Sequence, residues 1–141
     1  MLPIAILAGG LATRLRPITE TIPKALVPVK GQPFAFHLLQ LLARNGFKDV
    51  FFLTGYKGED IIRAVGDGQQ FGLEVDYIAD GPILLGTGGA IARAIPFLGE
   101  TFAVIYGDSW LDFDYQAAIK KFQADGRPAL MTIYRNQGKW D

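Results

Sequence analysis

Residues 7–16 read LAGGLATRLR, directly after the apolar run PIAI. Two adjacent glycines let the main chain approach a ligand closely and turn its N–H groups inward as an anion-binding nest. Arg14 follows within four residues and carries a forked set of donors that matches phosphate oxygens. Lys24 stands in PKALVPV, just before a second apolar stretch, where an ammonium on a flexible stem can meet a phosphate as a point charge. Either cation alone could be an ordinary surface residue. In this order, behind a first strand, they point to a polyphosphate held by main-chain amides and two cations.

Two further segments have residue types suited to the same chemistry. LLGTGGAI at 84–91 again leaves the backbone uncovered at Gly86, Gly88 and Gly89. Read alone it is a helix start, with Thr87 as N-cap and glycines for close packing. YGDSW places Asp108 just past an apolar strand. Magnesium takes hard oxygen ligands and keeps several waters, so one carboxylate with substrate phosphates suffices for a site. A lone Gly-Asp is also an ordinary turn. The spacing G-x-x-x-x-G-K-[ST] is absent, as is G-x-G-x-x-G, so neither a P-loop nor a dinucleotide fingerprint is present. His37, the one histidine, lies in FAFHLLQLL with no acidic neighbour in sequence and reads as a packed or surface residue, not a base.

These segments must be positioned by the elements between them. Ile4–Leu7 and DVFFLTG read as buried strands, LEVDYIA as an alternating one and TFAVIYGD as a fourth. PFAFHLLQLLARNG has a helical period and ends at Gly46. KGEDIIRAVG is a short helix with Ile61, Ile62 and Val65 inward. TGGAIARAIPFL begins a helix expected to stop near Pro96. DYQAAIKKFQADG is a helix between an Asp114 cap and Gly126. PALMTIYR at 128–135 reads as a fifth strand. The alternation argues for a mostly parallel sheet flanked by helices, with ligands bound at the carboxyl ends of the strands.

The chain has 141 residues, half of them apolar, which is one domain with enough material for a packed core. Fourteen basic and fourteen acidic residues balance to zero, so no whole-surface field for nucleic acid exists and anion binding must be local. There is no cysteine, which excludes a disulfide framework and thiolate catalysis and suits a reducing cytoplasm. MLPIAILA is short, has no basic residue ahead of it and contains a proline, so it reads as a strand, not a signal peptide. No 18-residue apolar run is present, so no membrane span is expected. The final NQGKWD, with a tryptophan next to last, is unexpected at a terminus and suggests that the domain is cut short.

The stretch LAGGLATRLRPITETIPKALVPVKGQP resembles the N-terminal signature of the sugar-1-phosphate nucleotidylyltransferases, L-A-G-G-x-G-T-R-L-x-P-L-T followed by P-K-x-L-x-P-V. It departs at Ala12, where most members carry glycine. The resemblance implies an α/β, Rossmann-like nucleotide-diphospho-sugar transferase fold over residues 1–141, incomplete at its C-terminal side. It implies that the backbone of Leu7, Ala8, Gly9, Gly10, Leu11, Ala12 and Thr13 wraps a nucleoside triphosphate. Arg14 would hold the triphosphate, and Lys24 would reach the α-phosphate or the sugar phosphate. LLGTGGAI resembles the family's P-L-G-T-[AG]-G-A segment, which puts Gly86, Thr87 and Gly88 against base and ribose, with Asp80 and Gly81 beside them. The family uses the aspartate of its Gly-Asp as a metal ligand, which makes Asp108 the expected site for magnesium (Mg2+).

GDSW and the closing KWD are similar to the heptose-1-phosphate guanylyltransferase branch, which favours GTP as the nucleotide and a sugar 1-phosphate as its partner. An unfinished sheet edge would also invite self-association. Other readings stay open: a non-catalytic nucleotide-binding or regulatory homologue, a nucleotidylyltransferase for a non-sugar acceptor, or a glycosyltransferase. DFD at 112–114 has the Asp-x-Asp spacing of the last but belongs to a helix cap.

Overall fold

The computed structural model describes residues 1–135 and Gly138. Strand β1 (Ile4–Ala8) is paired on both sides, by β4 (Asp49–Thr54) and by β6 (Ala103–Tyr106). β5 (Glu74–Ala79) adds to the far side of β4, so the sheet order is β5-β4-β1-β6 with every pair parallel. Two-residue strands β2 (Pro28–Val29) and β3 (Gln32–Pro33) form a separate antiparallel hairpin.

Alternation along β1 divides the core. Ile4 and Ile6 face one side with Val50 and Phe52, and there they meet Leu38, Leu39 and Leu42 of helix α2 (Phe34–Arg44). Ile61 and Val65 of α3 (Gly58–Val65) and Tyr115 of α5 (Tyr115–Asp125) complete this cluster. Ala5 and Leu53 point the other way, onto Ala90, Ala94 and Leu98 of α4 (Gly86–Leu98). The result is three layers, helices over both faces of a parallel sheet. A four-residue helix, α1 (Ile18–Thr21), lies in the connection after β1.

Parallel pairing in register brings the strand ends to one edge. Ala8 lies opposite Thr54, Thr54 opposite Ala79, and Leu7 opposite Tyr106. The chain leaves β1 toward β4 on one side and returns to β6 on the other. β1 therefore marks the topological switch point where open α/β sheets bind ligands.

Three sequence expectations are corrected. Helix α4 does not stop at Pro96 but runs to Leu98. Burial of Ala94 and Leu98 holds its last turn on the sheet, and that burial outweighs the one missing N–H. Thr87 is not the N-cap: the helix begins at Gly86, so the hydroxyl lies inside the first turn and Leu85 occupies the cap position with no side-chain bond. Residues 128–135 form no strand, because a strand needs a neighbour for its hydrogen bonds and none of the described strands pairs with them. Ile62 is only half-buried beside the fully inward Ile61 and Val65. The α5 caps are as expected: the Asp114 carboxylate accepts from the Ala117 N–H at 2.9 Å, and Gly126 is left-handed at φ 59°. Lys139–Asp141, which carry the KWD similarity, lie outside the described residues.

His37 is a packing residue. Its half-buried ring lies with Nε2 2.8 Å from the Val29 carbonyl and ties α2 to the hairpin.

The Tyr77 hydroxyl on β5 donates to the Gly66 carbonyl at 2.5 Å. Burial pushes this phenol from 10.0 up to about 12, and the carboxylates of Asp67 and Asp76 add to the shift. The folded chain thus keeps a proton that the unfolded chain releases near pH 10. Stability should be level below that pH and fall as pH rises toward 12. In urea titrations at stepped pH, Tyr77→Phe should remove part of that alkaline loss; an unchanged slope would contradict the assignment.

Candidate active site

A cavity of about 300 Å3 opens at the carboxyl edge of the sheet. Its floor is the end of β1, Leu7 and Ala8, followed by Gly9 and Gly10. Asp80, after β5, lies on one side with Gly86 and Thr87 at the start of α4. Lys24 lies on the other with Tyr106, Gly107 and Asp108 at the end of β6. Loops separated by many residues in sequence meet here because all four strands end at the same level.

The cavity depends on backbone packed against backbone. Gly9 accepts a hydrogen bond from the Tyr56 N–H at 3.2 Å, so the loops after β1 and β4 touch. A Cβ on Gly55 would stand 2.7 Å from the Gly9 carbonyl oxygen and 2.7 Å from Leu84 Cδ2. A Cβ on Gly107 would stand 2.9 Å from the Leu7 carbonyl oxygen, whose partner is the Gly107 N–H. By contrast, a Cβ on Gly10 would meet nothing within 4 Å, so that residue borders open space. Ala12 adopts a left-handed conformation at φ 50°, the conformation for which glycine is better suited. It is held there by its carbonyl, which accepts from the Leu15 N–H and from the buried Thr19 hydroxyl.

Asp80 organises the second loop. It is 6% exposed, and its Oδ2 accepts the Leu85 N–H at 3.1 Å, one residue ahead of α4. Its own N–H donates to the Thr54 carbonyl at 2.8 Å, and its carbonyl accepts from Arg93 of α4 at 2.6 Å. The carboxylate also lies 3.3 Å from where a Gly9 Cβ would be. One buried residue thus ties β4, the loop 81–85, α4 and the glycine loop together.

At the other side, Lys24 Nζ lies 2.5 Å from Asp108 Oδ2 across 84 residues of sequence. The remaining ion pairs among the described residues are local, within four residues of sequence. Asp108 Oδ1 accepts from the Ser109 hydroxyl at 3.3 Å. Both members of the pair are about two-fifths exposed and open to the cavity.

The sequence-expected residues fall into two groups. Leu7, Ala8, Gly9, Gly10, Ala12, Lys24, Asp80, Gly86, Thr87 and Asp108 share the cavity. Leu11, Thr13 and Arg14 are exposed on the following turn and do not line it, and Arg14 makes no hydrogen bond or ion pair among the described residues. Gly81 and Gly88 flank the lining without joining it. Sequence reasoning missed Gly55 and Arg93. The first follows a strand as Gly9 does and could have been found by the same rule; the second makes a contact 13 residues away that no local pattern signals.

No group of three or more acidic or histidine side chains suited to a metal occurs among the described residues. Asp108 is a single accessible carboxylate already paired with a cation, a donor set that holds a divalent metal weakly by itself and firmly where substrate phosphates supply further oxygens. No described helix is long and apolar enough to cross a membrane.

A parallel α/β sheet with a glycine-bordered cavity at its switch point is the arrangement in which open α/β folds bind their ligands. The family model described as Nucleotidyl transferase matches residues 4–139, and the chain belongs to that family. It is 37% identical over 139 residues to a UTP--glucose-1-phosphate uridylyltransferase of Synechocystis, covering 91% of this chain and 35% of the relative. It is 36% identical over 110 residues to the D-glycero-alpha-D-manno-heptose 1-phosphate guanylyltransferase of Campylobacter jejuni, covering 77% of this chain and 48% of the relative. The solved structure of HddC from Yersinia pseudotuberculosis complexed with GMP-PN superposes with a TM-score of 0.78 at 36% identity, over 86% of this chain and 54% of that one. The fold is therefore that of the nucleotide-diphospho-sugar transferases. The chain spans about a third to a half of the length of such curated relatives.

The Gly9–Gly55 contact can be tested directly. Gly55→Ala should cost about 1–3 kcal/mol in urea unfolding, the usual penalty for overpacking. Gly10→Ala, with open space around it, should cost well under that. Equal effects would contradict the contact.

Proposed function

We propose that the cavity binds a nucleoside triphosphate and that the protein transfers its nucleotidyl group to a sugar 1-phosphate, giving a nucleotide sugar and pyrophosphate. The observation that carries this reading is the meeting of Lys24 and Asp108 beside the glycine loop. It pairs a phosphate-seeking cation with a carboxylate suited to magnesium at the place where a triphosphate would lie. The named activities of the relatives support the reaction class.

The chemistry needs no side-chain nucleophile. The second pKa of a phosphate monoester is about 6, so a sugar 1-phosphate is largely dianionic at neutral pH. Its oxygen attacks the α-phosphorus, a new P–O bond forms, and the bond to the β-phosphate oxygen breaks as pyrophosphate leaves. The protein aligns the two phosphates and offsets their charge. Main-chain amides from Gly9 to Ala12 cradle the phosphates, and Lys24 aligns the attacking phosphate with the α-phosphorus. Arg14, on its exposed turn, closes onto the triphosphate when it enters. Gly86 and Thr87 lie against the base and ribose, with Asp80 fixing their loop. Asp108, together with phosphate oxygens of the substrates, would hold a magnesium ion, which would supply charge neutralisation.

Guanine is the first base to test, since guanylyltransferases and a GMP-PN complex stand among the relatives, but uridylyl- and thymidylyltransferases stand there too. A thermal-shift panel of the four common triphosphates with magnesium should show one preferred base, because bound ligand raises apparent stability with affinity. No shift with any of them would overturn the nucleotide reading.

Arg14→Ala and Lys24→Ala should each keep the fold and lower pyrophosphate release with sugar 1-phosphates by about 10²-fold or more. Near-normal turnover in either variant would refute its role. Nucleotide binding with no pyrophosphate release in the unaltered protein would leave a non-catalytic nucleotide-binding module instead.

A further inference from the structure

Lys24 and Asp108 carry opposite charges that the proposed reaction uses on different partners, yet in the structure they occupy each other. Resting on the triphosphate reading above, we propose that Lys24 is a resident counter-ion for Asp108 that is exchanged for the divalent cation when substrate enters. The exchange links metal loading to the phosphate grip.

The geometry sets the ammonium and a metal in competition at one carboxylate. Lys24 Nζ sits on Oδ2 at 2.5 Å, and Oδ1 is engaged by the Ser109 hydroxyl. A magnesium ion bonds its oxygens at about 2.0–2.1 Å. On Oδ2 it would stand about 4 Å from the ammonium, two like charges sharing one carboxylate oxygen. The ammonium therefore opposes metal binding at this carboxylate until it withdraws. It has the means, being a point charge on a flexible four-carbon stem, and both partners are about two-fifths exposed.

It also has somewhere to go, because Lys24 and the Gly9–Gly10 backbone line the same cavity. An incoming triphosphate offers the ammonium an anionic partner at the moment the carboxylate is taken over. Without substrate the pair satisfies both charges and keeps a lone carboxylate from recruiting cations unproductively. Because coupling between two ligands is reciprocal, metal and triphosphate should each favour the binding of the other.

The exchange predicts effects of opposite sign from one substitution. Lys24→Met keeps the stem and removes the charge. Manganese(II) alone, followed by water-proton relaxation, should bind this variant about threefold more tightly than the unaltered protein, within the range that an exposed ion pair contributes. GTP with magnesium, followed by calorimetry, should bind it more weakly. A merely structural lysine would weaken both, and thermal melts of each variant establish that folding is intact. Asp108→Asn serves as the reference for manganese held at this carboxylate.

Manganese binding that depends on Asp108 but is equal or weaker in Lys24→Met would overturn the exchange while leaving the site reading in place. Manganese binding unaffected by Asp108→Asn would overturn both.

Discussion

The site rests on one constraint: two main-chain segments, Gly9 after β1 and Gly55 after β4, touch without a side chain between them. Parallel pairing brings Ala8 and Thr54 to the same level, and the glycines then let the loops meet instead of splaying. The buried carboxylate of Asp80 fits against this contact and fixes the entry to α4. Gly107 repeats the arrangement on the β6 side, where its N–H bonds the Leu7 carbonyl. The cavity is thus bounded by backbone on three strands, and backbone amides are the donors that an extended anion can use.

Charge is placed with the same economy. The chain as a whole is neutral, so affinity for a polyanion cannot come from a general field. On the proposed reading it comes from a few groups aimed into a small space, and the Lys24–Asp108 pair is the one long-range ion pair among the described residues. Arg14 lies outside the cavity on an exposed turn, whereas Lys24 lines it.

Much of this was legible in the sequence because it is local or periodic. The apolar runs at Ile4–Leu7 and DVFFLTG could only be buried strands, and Asp114 and Gly126 bound α5 as caps do. Loops after parallel strands share an edge, so the glycine pair, Lys24 and Asp108 could be brought together from the order of elements, whereas Asp80 was placed there by the family resemblance. What escaped is nonlocal. Pro96 would end an isolated helix, but Ala94 and Leu98 bury their side chains against the sheet and carry α4 past it. PALMTIYR has the composition of a strand, yet pairing is a property of the neighbour as well as of the segment. The Arg93 bond to the Asp80 carbonyl and the close fit of Gly55 likewise exist only once distant elements have packed.

The most direct measurement is a crystal structure of this protein with magnesium and a non-hydrolysable nucleoside triphosphate. The account predicts phosphates within hydrogen-bond reach of the Gly9–Ala12 amides, Lys24 Nζ moved from Asp108 onto a phosphate oxygen, and the metal on Asp108. A triphosphate bound elsewhere, or bound here with the Lys24–Asp108 pair still closed, would contradict it.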